Sequence, residues 1–335
     1  MRIIKPIGTY VIALLVGACN SGGGSSIGTT LAWEEVTPLD IPRYDLGVVA
    51  TGDKLYALGG YSGSNLSLVS EYDPANDTWT NKANMLSPRR NMAIASVNGK
   101  IYVIGGRDNQ GNDITYTFST EEFDPNTNQW TSKQDMPIVT PPVSPVAGNF
   151  FITAATVDQK IYVATENPQR SDGFSGLYAY DPLTDSWEAN LSPPPFIRYE
   201  QTSAASSNGK LYLYTHSSFQ GVEGGKFMEY DPINNIWIIL PSPLVSVERA
   251  VIVSYDETIF LIGGRTKTGP YAEYKTYHNT VQAYDISGQI WVEINSMQYA
   301  RHSLGAAVVD GAIYAVGGDL GESLPTAVVE KFALE

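Results

Sequence analysis

The 335-residue chain has one cysteine, three histidines and no run of like charges. A single cysteine excludes an internal disulfide, so stability has to come from packing. His216, His278 and His302 stand far apart, without the spacing of a metal site. Basic residues are the minority: 21 Lys and Arg against 35 Asp and Glu, a formal charge of −14. A chain that acidic repels phosphate backbones, which argues against a nucleic-acid partner. There is no glycine-rich phosphate loop. The one match to G-x-S-x-G, "GSSIG" at 24–28, has no strand before it and cannot be a nucleophile elbow. Asp-rich segments such as "DPNTN" read as proline–aspartate turns, so neither a metal nor a cofactor is expected. The longest apolar run, "IGTYVIALLVGA" at 7–18, is too short to span a bilayer unaided. Helical periodicity is missing after residue 30.

That apolar run follows Arg2 and Lys5, the pattern of a secretory signal. It stops at "LVGAC", residues 15–19, which resembles the lipobox of bacterial lipoproteins. The resemblance implies removal of residues 1–18 and lipidation of Cys19, the only cysteine. Losing two positive and no negative charges would leave a mature chain at −16. Residues 19–30, "CNSGGGSSIGTT", read as a Gly/Ser-rich tether. An asparagine after the cysteine resembles the outer-membrane context of Gram-negative lipoproteins. The expectation is an exported, lipid-anchored monomer, touching the membrane through its anchor only.

What the chain has in quantity is repetition. "EYDPANDTW" (71–79) returns as "EFDPNTNQW" (122–130), "AYDPLTDSW" (179–187), "EYDPINNIW" (229–237) and "AYDISGQIW" (283–291). Asp-Pro before small or amide residues is turn chemistry, so each unit reads strand, turn, strand with an aromatic on either arm. Upstream, "KLYALGG" (54–60) and "KIYVIGG" (100–106) recur as "KIYVATE", "KLYLYTH", "TIFLIGG" and "AIYAVGG". Before most of these, Asn-Gly or Asp-Gly joins two apolar runs, the strongest short hairpin signal. Each repeat is therefore four strands, A to D, with tryptophans 46, 51, 57, 50 and 54 residues apart.

Diglycine after strand B, the Tyr-Asp-Pro turn and the spaced Tyr and Trp together resemble the kelch repeat over residues 31–335. The resemblance implies an all-β, six-bladed propeller with four antiparallel strands per blade. The last repeat ends after Phe332 without a tryptophan, while Trp33 has no turn before it. Residues 31–36 are thus expected to supply strand D of the last blade, closing the ring. Blades 3 and 4 depart from the pattern, with Thr165-Glu166 and Thr215-His216 in place of diglycine.

In such a blade the B–C and D–A connections share one face, and those connections vary most in length. Arg43, Arg89 and Arg301 each stand sixteen residues before a diglycine, while Arg198 and Arg249 fall within two positions of the same place. The kelch family often has arginine there, and in some eukaryotic members that ring holds acidic side chains. By resemblance, Arg43, Arg89, Arg198, Arg249 and Arg301 form a basic collar for carboxylates. The alternative is that they pair with nearby acids and tie blades together. Tyr44, Tyr199 and His302 are further candidates, with Arg107, Arg265, His216 and Asp319 placed only by proximity. No catalytic residue is identifiable. A lone cysteine excludes the copper-radical sugar oxidases of similar architecture. Two functions remain: a module binding a protein or anionic glycan, or a sugar-acting enzyme like the kelch propellers that accelerate sialic-acid mutarotation.

Overall fold

The A–B turns of blades 2, 4 and 6 rest on paired left-handed residues: Asn98 and Gly99 (φ 52° and 76°), Asn208 and Gly209 (51° and 70°), Asp310 and Gly311 (49° and 66°). That is the backbone a two-residue hairpin needs to follow the twist of its strands. The computed structural model describes residues 31–110, 113–137, 151–166, 175–195, 202–217, 224–268 and 274–334. The signal, the tether and Cys19, as well as Arg198 and Tyr199, lie outside the described residues. Among the described residues there is no helix long and apolar enough to cross a membrane.

The strands form six four-stranded antiparallel sheets, as the repeat predicts. Blade 1 is Gly47–Thr51, Lys54–Leu58, Val69–Asp73 and Thr78–Lys82. Blade 2 is Ala93–Val97, Lys100–Gln110, Asp113–Asp124 and Gln129–Lys133. Blade 3 is Ile152–Val157, Lys160–Glu166, Ser175–Asp181 and Ser186–Glu188. Blade 4 is Thr202–Ser207, Lys210–Ser217, Gly224–Asp231 and Ile236–Leu240. Blade 5 is Val251–Tyr255, Thr258–Ile262, Val281–Asp285 and Ile290–Ile294, with an added hairpin of Arg265–Thr268 and Tyr274–Tyr277. Blade 6 is Gly305–Val309, Ala312–Val316, Val329–Ala333 and, from the other end of the chain, Glu34–Val36. Glu34 to Val36 pair antiparallel with Lys331 to Val329, and Trp33 stacks on Phe332 at 5.3 Å.

The core is six wedges, each filled by two neighbouring blades. All six tryptophans use the same tie. The indole N–H of Trp79, Trp130, Trp187, Trp237, Trp291 and Trp33 donates to a backbone carbonyl at the end of the preceding blade, each at 2.8 Å. The period seen in the sequence is thus the period of one inter-blade contact. The innermost strands touch in a closed circuit around a channel of about 130 Å³, lined by strand A of every blade.

Candidate functional site

Strand A begins at the mouth of the ring, and three consecutive positions before it have distinct roles. The first holds a buried arginine. Arg43, Arg89 and Arg301 are 0 % exposed, so the collar expected of them is not at the mouth. Each points into its own blade. Arg43 donates to the Ala57 carbonyl (3.2 Å) and Ser70 Oγ (3.0 Å), Arg89 to the Gly105 carbonyl (3.1 Å) and Glu121, and Arg301 to the Ala315 carbonyl (3.0 Å). Arg301 also lies 3.0 Å from Glu330 Oε2. Burial pushes Arg43 and Arg301 down to about 10, still cationic at neutral pH.

The main chain of these arginines clasps the neighbouring blade. Gly60, Gly264 and Gly318 N–H donate to the carbonyls of Arg89, Arg301 and Arg43 at 3.0, 2.9 and 2.9 Å. A Cβ on the first glycine of each pair, Gly59, Gly263 or Gly317, would lie 2.5–2.6 Å from that same oxygen. Diglycine and arginine are therefore two halves of one contact. Blade 4, which lacks diglycine, replaces it: Tyr214 Oη donates to the Val247 carbonyl (2.7 Å) and accepts from its N–H (2.9 Å). Val247 occupies the buried-arginine place of blade 5, and Gln282 stands where blades 2 and 6 have Glu121 and Glu330. Where the arginine is missing, so is the acid.

The second position faces the first residue after the diglycine. Tyr44 bridges Tyr61, Arg90 bridges Arg107, Glu248 bridges Arg265, and His302 bridges Asp319. The third position is left-handed in each of these blades: Asp45 (φ 54°), Asn91 (50°), Arg249 (57°) and Ser303 (53°). Their main chains link around the mouth, with Ser303 N–H bonding Arg249, Asp45 bonding Ser303 and Asn91 bonding Asp45. Asp and Asn tolerate this backbone, whereas for serine and, more so, the long arginine it is strained. Arg249 is therefore two residues beyond the buried place, and its guanidinium sits at the opening, 3.1 Å from Ser303 Oγ and 3.6 Å from Asp45 Oδ1.

Tyr44, Asp45, Arg90, Asn91, Arg249 and His302 of these positions line a cavity of about 180 Å³, with Lys275 and Glu322 from the B–C connections of blades 5 and 6. Among the described residues that line it, five cations, Arg90, Arg107, Arg249, Arg265 and Lys275, face three carboxylates, Asp45, Asp319 and Glu322. Arg90 lies over the Tyr61 ring at 4.2 Å, and burial together with Arg90 holds Arg107 below the ordinary guanidinium range. Arg265 and Lys267 both pair with Glu248, at 2.5 and 2.9 Å. His302, stacked on Tyr277 at 5.4 Å, is pushed down to about 3 by burial and by Arg265 and Arg249. It is neutral, so its 3.7 Å approach to Asp319 is not an ion pair.

Of the expected residues, Tyr44, Arg249 and His302 therefore meet at the cavity, together with Arg107, Arg265 and Asp319. His216 lies apart, opposite Gly225 in blade 4. The larger role of Arg90, and the presence of Asp45, Asn91, Lys275, Glu322 and Ser323, did not follow from the arginine spacing. Counting one and two residues on from the buried arginine finds Asp45, Arg90 and Asn91.

The Attractin/LZTR1 beta-propeller family matches residues 55–327. Similar proteins include an F-box/kelch-repeat protein of Arabidopsis thaliana, 32% identical over 56% of this chain and 50% of its own length. Kelch-like protein terF of Aspergillus terreus is 25% identical over 87% of this chain and 53% of its own. Beta-scruin of Limulus polyphemus is 25% identical over 85% and 32%. The chain thus spans about half or less of these relatives. The solved structure of YjhT superposes with a TM-score of 0.71 at 15% identity, covering 89% of this chain and 97% of YjhT, a likeness of fold alone.

Proposed function

This chain belongs to the Attractin/LZTR1 β-propeller family, built of kelch repeats, and from that premise we propose an interaction module whose mouth holds an acidic group of a protein partner. One observation carries the reading: five cations gather around one cavity of a chain whose formal charge is −14. Guanidinium groups bond carboxylates bidentately, and a partly desolvated site strengthens that bond. Arg249 is taken as the contact, since its strained backbone holds a guanidinium at the opening that is bound there only by Ser303 Oγ and a loose pair with Asp45.

Arg249→Asn is expected to leave stability within about 1 kcal/mol of the wild type, because relief of a left-handed arginine offsets the loose pair with Asp45 and the hydrogen bond to Ser303 Oγ. The same change should abolish capture of the partner by photo-crosslinking in extracts of the source cell, as should Arg107→Glu. Capture indifferent to both changes, each variant melting normally, would sink the mouth as the binding site.

A second reading, sugar mutarotation, has one feature in its favour: the uncharged imidazole of His302 stands 3.7 Å from Asp319 at the same cavity. A group held near 3 is a weak base at neutral pH, so binding is preferred. Interconversion of N-acetylneuraminate anomers, lost in Arg107→Glu, would reverse that preference; retention of an anionic glycan on an array would replace the protein by a glycan.

The leader "LVGAC" supports export and lipidation of Cys19, placing the ring on a bacterial membrane. Radioactive palmitate should label the full chain and not Cys19→Ser; an unlabelled wild type, or a labelled variant, removes the anchor.

A further inference from the structure

Repeats should make the five C–D corners interchangeable, yet they differ by arc. At the tip of the C–D turn, blades 1, 2 and 5 carry Ala75, Asn126 and Ser287, whereas blades 3 and 4 carry Leu183 and Ile233, 92% and 88% exposed. Before the tryptophan, blades 1 to 3 have Thr78, Gln129 and Ser186, whereas blades 4 and 5 have Ile236 and Ile290, about half exposed. Ile238 and Ile239 continue along the outer strand of blade 4, where blade 1 has Thr80 and Asn81. Lys82 and Lys133 guard the ends of the same strands in blades 1 and 2, pairing with Glu71 and Glu122; blade 4 ends in Leu240. Charged or lysine-bearing edges are the usual protection of an outer strand, and blade 4 has given it up.

The leader joins the ring beside this arc, at the start of the outer strand of blade 6, where the other blades have their C–D turn. Leu31 offers its carbonyl to Asn295 Nδ2, one residue beyond the outer strand of blade 5. Trp291 of that strand bonds the Pro241 carbonyl, one residue beyond the outer strand of blade 4. Twelve residues separate Cys19 from Leu31 and reach at most about 40 Å. By strand alternation the C–D turns stand at the end of each blade opposite the B–C connections, and so opposite the mouth.

We propose that the C–D corners of blades 3 to 5 rest in the headgroup layer of a lipid bilayer, with the mouth turned away. The orientation rests on the anchor reading; the affinity of the rim does not. Carboxylates, Asp181, Asp185, Asp231 and Asp285, hold these turns together, so the surface suits zwitterionic rather than anionic lipid. A second copy of the chain fits less well. It would face those carboxylates with their own kind, and a five-residue edge buries far less than the roughly 1,200–2,000 Å² of a stable complex.

The test is flotation of the mature chain, residues 19–335 bearing Cys19→Ser, with phosphatidylcholine vesicles. Partition is expected to fall about tenfold in Ile233→Ser/Ile236→Ser/Ile290→Ser, to survive Leu86→Ser elsewhere on the surface, and to gain nothing from added phosphatidylglycerol. Equal partition of the triple variant overturns the proposal, and so does absence of partition or self-association through these residues without lipid. Missing palmitate with intact partition loses the anchor and keeps the rim.

Discussion

Trp33→Ala is expected to cost about 3–5 kcal/mol, the range of buried aromatic truncations, and to lower the urea midpoint accordingly. Trp33 is 4 % exposed, stacks on Phe332, and donates to the Asn295 carbonyl, so the change removes one face of the wedge between blades 5 and 6. The strand it precedes is only three residues long, and the ion pair beside it, Lys331 to Glu34, is exposed and 3.7 Å apart. Hydrogen bonds from Gln298 Nε2 to the Trp33 carbonyl (2.9 Å) and from Tyr299 Oη to Glu35 (2.8 Å) also hold this end, so the loss falls on packing rather than on pairing. Trp130 makes the same hydrogen bond from a half-buried position inside a continuous chain, so Trp130→Ala should cost less. Loss of Trp33 also frees a closure spanning nearly the whole chain, whose entropy only the final contacts recover. Faster proteolysis between residues 31 and 46 should accompany the destabilisation. An unchanged unfolding midpoint in Trp33→Ala would show that the ring closes elsewhere.

Closure was legible because it is a matter of counting. A repeat that ends without its tryptophan and a tryptophan that begins without its repeat complete one another. The aromatic positions were legible for a related reason: each sits at the same interface in every blade, so selection for one contact writes itself repeatedly. The mouth was harder to read. Arginine spacing identifies the side chain that keeps the period, and keeping the period is what a structural clasp does. Arg43, Arg89 and Arg301 accept a diglycine N–H at their own carbonyls and are buried. The cavity is built instead from places where the period lapses: Arg90 against Tyr44, and Arg249 against Asp45 and Ser303. A two-residue offset in blade 5, where Val247 takes the buried place, moves Arg249 from clasp to opening. Lys275 and Glu322 come from connections of unequal length, which no repeat alignment can place.

The second large effect is expected at Arg301 and Glu330, both 0 % exposed and 3.0 Å apart. Glu330→Leu strands a guanidinium that burial pushes down only to about 10, so it stays charged and the loss should be about 3–5 kcal/mol. Arg301→Met strands a carboxylate, which has an escape the arginine lacks. Burial already raises the Glu330 pKa above its ordinary value, and removing Arg301 takes away the charge that opposes the rise. A carboxyl raised in the folded state contributes stability that is fully present below its unfolded pKa and lost as pH rises through the folded value. The deficit of Arg301→Met should therefore be largest at neutral pH and shrink toward about pH 4. The double variant leaves no stranded charge and should lose less than the two singles together, as blade 5 does naturally with Val247 and Gln282. It should still fall short of the wild type, because the Ala315 and Val328 carbonyls lose the donor that Arg301 supplies. Additive losses would show that the two residues act independently. A normal melt of Arg301→Met combined with lost partner capture would return Arg301 from the blade interior to the mouth.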